Sequence, residues 1–254
     1  MEKLQRRLIA LLLVILTLPA ATAFADDNND FGMKYSAEAS KKINKHWSVD
    51  AGVGFRTRNN AKTADQWDLS VGAGYKITHW LKADAGYQFI YDNNEDKYKY
   101  NSAGDVTKWR PSFWGPRHRT YASLTASVKT GRVKFSLRER WQYTYRPEKT
   151  TERYLYGSDS WEEVLSVRSK SKNVLRSRFQ VSYDIPRSKV SPFANVEIYN
   201  SWSLDKTRLS AGAEWSITKK HSVEAFYRFQ SVNSTDDDHD TNSHILGLGY
   251  TFSF

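Results

Sequence analysis

Residues 242–254 read by twos. Leu246, Leu248, Tyr250, Phe252 and Phe254 share one face, while Ser243, Gly247, Gly249, Thr251 and Ser253 share the other, with Ile245 alone out of pattern. Alternation of this kind belongs to an extended strand whose two faces meet different surroundings. Large apolar and aromatic groups on one side, with small and polar groups on the other, suit a strand between hydrocarbon and an aqueous bore.

The pattern recurs along the chain. Period-two segments lie near 31–41, 47–58, 66–77, 80–91, 117–129, 132–146, 173–185, 190–201, 206–217, 221–232 and 242–254, each about long enough to cross a bilayer at a tilt. Short turns at 42–46, 78–79, 130–131, 186–189 and 218–220 alternate with longer polar loops at 59–65, 92–116, 147–172 and 233–241, the short stretch 202–205 excepted. Of the five prolines after residue 25, Pro111, Pro116, Pro147 and Pro186 fall in connections and Pro192 near a strand start, where no ladder hydrogen bond is lost. The expectation is an all-β fold: a transmembrane antiparallel up-and-down β-barrel of 10–12 strands, with short periplasmic turns and longer external loops. Eleven segments are counted, but single-chain bacterial barrels have even strand numbers, which favours twelve. A misread segment, a strand hidden in a long loop, or an N-terminal stretch threading the lumen would each reconcile the count.

The first residues read as a processing signal. Lys3, Arg6 and Arg7 precede the apolar run Leu8 to Leu18, and Ala23-Phe24-Ala25 offers a cleavage site before Asp26. The run is too short for a spanning helix. The division expected is a signal peptide at 1–25 and a barrel domain at 26–254, placed in the outer membrane of a Gram-negative cell. A hydrophobic content of 39% is no obstacle, because only alternate residues of a barrel strand face lipid. The aromatic content of 14% would supply girdles at the two membrane interfaces. With no cysteine there is no disulfide framework or thiolate chemistry. Losing Lys3, Arg6, Arg7 and Glu2 lowers the formal charge from +10 to about +8. Export makes nucleic acid a poor partner for this excess, leaving anionic lipid headgroups or acidic solutes.

Strand parity also assigns the inner face. Arg117, Arg119, Lys134, Arg138, Arg140, Arg146, Arg176 and Arg178, with Lys129, point inward from three successive hairpin strands. Nine of the thirteen glycines, Gly32, Gly52, Gly54, Gly72, Gly74, Gly86, Gly212, Gly247 and Gly249, point inward from strands that become neighbours when the barrel closes. One wall would therefore be an arginine ladder and the other nearly bare. Such a ladder makes an anion path, because guanidinium groups bind carboxylate or phosphate bidentately. The competing reading is an electrostatic plug, since Glu38, Asp50, Asp68, Asp84, Glu197, Glu214 and Glu224 also point inward. Glu139 points outward between Arg138 and Arg140, and a bulge there would turn it inward.

Catalytic candidates are weaker. The loop Asp236-Asp-Asp-His-Asp240 sets carboxylates beside a histidine, as a hydrolase site or a calcium loop would. No spacing joins His118, Ser123 and Asp84 into a triad, and parity turns His118 outward. Trp109, Phe113, Trp114, Tyr154, Tyr156 and Trp161 lie in long loops, where aromatic groups stack on sugars, anchor in lipopolysaccharide, or pack over the mouth.

The stretches Trp114-Gly-Pro-Arg-His-Arg119 and Leu137-Arg-Glu-Arg-Trp-Gln-Tyr-Thr-Tyr-Arg-Pro147 resemble the barrel family known as domain of unknown function twenty-four ninety, frequent in Bacteroides-type bacteria. The resemblance spans nearly all of 26–254 and implies an outer-membrane barrel without an assigned activity. In size and basic lumen alone the chain is similar to small monomeric porins for acidic oligosaccharides. The terminal Phe254 also resembles the signal by which outer-membrane proteins engage the barrel assembly machinery. The function expected is a small monomeric channel or binding barrel for anionic solutes, acidic saccharides among them, set in lipid and lipopolysaccharide. It would need no cofactor and no metal. An outer-membrane hydrolase and a structural barrel with a plugged lumen are the alternatives.

Overall fold

The computed structural model describes residues 29–233 and 242–254. Among these residues it holds fifteen strands and no helix: β1 (Asp30–Lys42), β2 (Trp47–Arg58), β3 (Thr63–Lys76), β4 (Leu81–Asn94), β5 (Lys97–Tyr100), β6 (Val106–Arg110), β7 (Phe113–Thr130), β8 (Val133–Arg146), β9 (Lys149–Leu155), β10 (Ser160–Val167), β11 (Lys170–Tyr183), β12 (Val190–Asn200), β13 (Leu204–Ser216), β14 (His221–Val232) and β15 (Ser243–Ser253). The signal peptide and the Asp236–Asp240 loop lie outside the described residues.

Eleven strands close into one barrel, in the order β1-β15-β14-β13-β12-β11-β8-β7-β4-β3-β2. They coincide with the eleven segments read from alternation. The preference for twelve is corrected: an odd number closes because β1 and β15 run parallel, in register from Asp30–Ser243 to Ser40–Ser253. Every other seam is antiparallel. Closure leaves no open sheet edge, so the barrel backbone satisfies its own hydrogen bonds. Both β1 and β15 start at the end of the barrel that carries the long loops.

The long loops do hide strands, though none joins the barrel. Strands β5, β6, β9 and β10 form a separate sheet in the order β10-β9-β6-β5. Pro116, expected in a connection, falls inside β7, because that strand starts earlier than its alternation suggested.

The barrel's outward face is apolar and exposed. Leu69, Val71, Leu124 and Leu209 each leave more than half of their surface open. A belt of this size is stable only against hydrocarbon. At the short-turn end, polar side chains close the hairpins. Asn44 Oδ1 accepts from the amides of His46 and Trp47, each at 2.8 Å. Thr78 Oγ1 accepts from Leu81 N at 3.0 Å, and Thr218 Oγ1 from His221 N at 3.1 Å. Gly131 takes φ +59° in the β7–β8 turn, a conformation that costs glycine little.

Two inward aromatic rings lie against glycine. Tyr121 sits directly opposite Gly86, and Phe226 lies between Gly212 and Gly247. A Cβ on Gly86 would come within 2.6 Å of Tyr121 Cζ and of the Val71 carbonyl oxygen. Replacing a strand glycine by alanine ordinarily gains about 0.5–1 kcal/mol. Gly86→Ala should instead cost about 1–3 kcal/mol through overpacking. Urea titration of the barrel in lipid vesicles checks this, and an unfolding midpoint at or above the wild-type value would contradict it.

Candidate functional site

The barrel encloses a cavity of about 910 Å³. Six of the eight basic residues assigned to its wall, Arg117, Arg119, Arg138, Arg140, Arg176 and Arg178, line it. Lys134 and Arg146 do not: Lys134 is exposed near the turn end of β8, and Arg146 is the last residue of β8 at the loop end. The sequence reading missed Lys34, Arg56, Lys172, Lys206, Arg208 and Arg228, which also line the cavity. Their signal was present, since Arg208 precedes outward Leu209 and Arg228 lies between outward Tyr227 and Phe229. Confining the basic wall to three strands hid them.

The charges lie in three zones along the axis. At the loop-end rim, opposite charges pair: Arg58 Nη1 with Asp65 at 3.0 Å, Arg117 with Asp92 at 2.5 Å and Lys172 with Asp205 at 3.0 Å, while Arg56 also contacts Asp65.

Below the rim the wall is strongly basic. Arg138, Arg178, Glu197 and Arg208 are successive cross-strand partners on β8, β11, β12 and β13. Glu197 is only 2% exposed. It accepts from Arg138 Nη2 at 2.9 Å, Arg176 Nη2 at 2.8 Å and the Tyr199 hydroxyl at 3.0 Å. Arg208 reaches to 4.0 Å from it. The guanidinium groups of Arg176 and Arg208 also lie over the Tyr199 ring.

Three other arginines of this zone, Arg119, Arg140 and Arg228, find neutral partners. Arg119 donates to Thr144 Oγ1 at 3.0 Å and to Gln88 Oε1 at 3.1 Å. Arg140 stacks on Tyr121 at 4.2 Å, and Arg228 donates to Ser210 Oγ at 3.0 Å. Among the described residues no carboxylate pairs with Arg119, Arg140, Arg178 or Arg228. Buried Nε atoms of Arg138, Arg140 and Arg176 have no acceptor.

Toward the turn end, Glu38, Asp50, Asp84, Glu214 and Glu224 line the cavity, with Lys82 bound to Asp84 at 2.5 Å. This corrects the expectation of a bare glycine wall. The missing side chains make room for carboxylates: a Cβ on Gly72 would fall 2.8 Å from Asp50 Oδ2, and one on Gly74 at 2.8 Å from Asp84 Oδ1.

The alternation on β8 is unbroken, so Glu139 stays on the outward face and accepts from Ser177 Oγ at 2.6 Å. His118 is outward and bonded to the Tyr87 hydroxyl at 2.6 Å. Ser123 and Asp84 are partners on the inner wall, so the three do not assemble. Of the loop aromatics, Trp109, Tyr154 and Trp161 fall on the small sheet, while Phe113 and Trp114 open β7. Trp114 stacks on Tyr91 at 5.3 Å. On the small sheet Arg153 Nε donates to Glu162 Oε1 at 2.8 Å, which holds the Glu162 carboxyl below its ordinary range.

A closed barrel with an apolar outside and a charged bore is the fold of the outer-membrane β-barrels. Residues 31–242 match the family described as Protein of unknown function (DUF2490), and the chain belongs to it. Among solved structures, the β domain of the Bordetella autotransporter BrkA is similar at 14% identity over 82% of this chain and 83% of that one, with a TM-score of 0.53. The NanC porin shares 14% identity over 89% and 99% of the two chains, at a TM-score of 0.45. The Ralstonia pickettii toluene transporter TbuX shares 11% over 74% and 67%, at 0.42. No curated protein matches. At these identities the likeness is one of fold.

Removing the Glu197 charge would leave Arg138 and Arg176 buried without a counter-charge. Glu197→Gln should therefore destabilise the folded barrel by about 3–5 kcal/mol. Urea unfolding in vesicles measures this, and a loss below about 1 kcal/mol would mean that water already screens the cluster.

Proposed function

We propose that this chain is an outer-membrane barrel that admits and holds anionic solutes, acidic saccharides among them, at the arginine zone of its lumen. In this reading residues 1–25 are removed near Ala25, the turn end faces the periplasm and the long loops face outward. The barrel works as a monomer in lipid and lipopolysaccharide, without cofactor or metal, and Phe254 presents the chain to the assembly machinery.

One observation carries the proposal: four cavity-lining arginines, Arg119, Arg140, Arg178 and Arg228, have no carboxylate partner among the described residues. Guanidinium groups held away from bulk water favour an incoming carboxylate or phosphate strongly, and their planar donors match its two oxygens. Glu197 supports the site by fixing Arg138 and Arg176 in place. The acids near the turn end oppose onward passage of an anion, so residence at the arginines is favoured over free flow.

A plugged structural barrel is the second reading, favoured by the rim pairs and by the Glu197 cluster. Purified protein in planar bilayers under a salt gradient separates the two. An anion-selective reversal potential is expected, falling toward zero selectivity in Arg140→Ala/Arg178→Ala. Isothermal titration with citrate should show binding that the same variant loses. Neither current nor citrate binding in the wild-type barrel would leave the plug.

A further inference from the structure

Below the rim, opposite charges share one cavity without neutralising each other. Arg119, Arg140, Arg178 and Arg228 have no carboxylate partner, and nearer the turn end Glu38, Asp50, Glu214 and Glu224 form no ion pair among the described residues. At the rim the chain does the reverse, pairing Arg58 with Asp65 and Arg117 with Asp92. Register makes the separation costly. Arg140 directly faces Arg176, and Arg138 faces Arg178, across β8 and β11. Glu214 faces Glu224 across β13 and β14. Like charges in direct cross-strand pairs destabilise a sheet, and interchanging acid and base would remove that cost. Folding alone gives no reason to sort the two signs.

Two aromatic rings stand on the boundary between the zones. The Arg140 guanidinium lies over the Tyr121 ring at 4.2 Å. A Cβ on Gly72 would lie 2.8 Å from Asp50 Oδ2 and 2.9 Å from the Tyr121 hydroxyl, so that end of the ring sits on the carboxylate side. On the other wall Arg228 lies over the Phe226 ring at 4.7 Å, and Glu224 is the next inward residue toward the turn end. Phe226 thus separates an arginine from a carboxylate on one face of β14. The strand between Arg228 and Glu224 measures about 13 Å, or about 10 Å along the bore at the usual tilt. Tyr121 and Phe226 both line the cavity, so the stretch between the zones is partly apolar.

We infer that the solute held here is a zwitterion of peptide type, its carboxylate on the arginines and its ammonium group on the carboxylates of the floor. That the arginines take the anionic end rests on the reading above; the second charge is new. A plain anion gains only at the arginines and is repelled by the acids below them, whereas a zwitterion gains at both. An ammonium group has three donors, and Glu38, Asp50, Glu214 and Glu224 are acceptors without a counter-charge. An extended peptide spans about 3.5 Å per residue, so two or three residues bridge the zones past Tyr121 and Phe226. The acids alone would define no site. The unpartnered arginines above them in the same cavity make it one.

Isothermal titration of the detergent-solubilised full barrel near neutral pH with triglycine, N-acetyltriglycine, triglycinamide and citrate tests this. N-acetyltriglycine lacks the ammonium group and triglycinamide lacks the carboxylate, at nearly the same size. Triglycine should bind at least tenfold more tightly than either. Glu214→Gln/Glu224→Gln relieves a like-charge pair, and heat-modifiable gel migration verifies its fold. In this variant the preference for triglycine over N-acetyltriglycine should fall at least fivefold. N-acetyltriglycine binding as tightly as triglycine, a preference that the variant leaves intact, or no triglycine binding at millimolar concentration overturns the zwitterion. Citrate binding in any of those cases leaves the anion reading standing. Triglycinamide binding as tightly as triglycine, with no binding of citrate, removes both.

Discussion

Backbone hydrogen bonding decides what this chain can be. In hydrocarbon every strand N–H and C=O needs a partner, and a sheet supplies them all only by closing on itself. With eleven strands, closure requires the first and last to run the same way, and β1 and β15 do, over eleven consecutive residue pairs. Ser40 O accepts from Phe254 N at 2.9 Å, so the seam extends to the final residue. Everything else described here depends on that seam. A closed wall is what sorts odd and even positions into an outside that tolerates only apolar groups and an inside where charge gathers.

Within the wall, glycine and charge are two sides of one packing solution. A barrel of this size cannot accommodate a long side chain at every inward position. Glycines on β3, β4, β13 and β15 give their space to Tyr121, Phe226 and the carboxylates of Asp50 and Asp84. Arginine projects into the bore from β7, β8 and β11, and also as Arg208 from β13 and Arg228 from β14. The result is a bore with a paired rim, a basic middle and an acidic floor. The basic middle is held by a single buried acid, Glu197, which engages fewer arginines than the zone contains.

Much of this was legible in the sequence because strand alternation is a strictly local signal. Leu69, Val71 and Ala73 against Ser70, Gly72 and Gly74 reveal a face without any knowledge of neighbours. All eleven barrel strands and the inward phase of Arg138, Arg140, Arg176 and Arg178 were readable in this way. What was not legible depends on partners distant in sequence. The parallel seam joins residues more than two hundred positions apart, and no local pattern announces it. The gathering of Arg138 and Arg176 on Glu197 needs β8, β11 and β12 side by side. The small sheet escaped because its strands are short and adjoin Glu95-Asp96, Pro111-Ser112 and Pro147-Glu148, where turn-forming residues suggest loop. Only the register shared across β5, β6, β9 and β10 shows that Tyr98, Trp109, Tyr154 and Trp161 form one row.

The seam can be tested without interference, because the chain has no cysteine of its own. Ser36 and Gly249 are partners across it, and a Cβ on Gly249 would lie 3.2 Å from Ser36 Oγ. Oxidation of Ser36→Cys/Gly249→Cys in the folded barrel should yield a cross-linked chain of altered gel mobility. The antiparallel pair Glu38→Cys/Gly52→Cys, with Cβ atoms 3.9 Å apart, serves as the positive control. Efficient cross-linking of the first pair is the outcome required by an eleven-strand barrel with a parallel closure. Cross-linking of the control alone would mean that β1 and β15 do not meet, and the wall that separates lipid from the arginine-lined bore would need another closure.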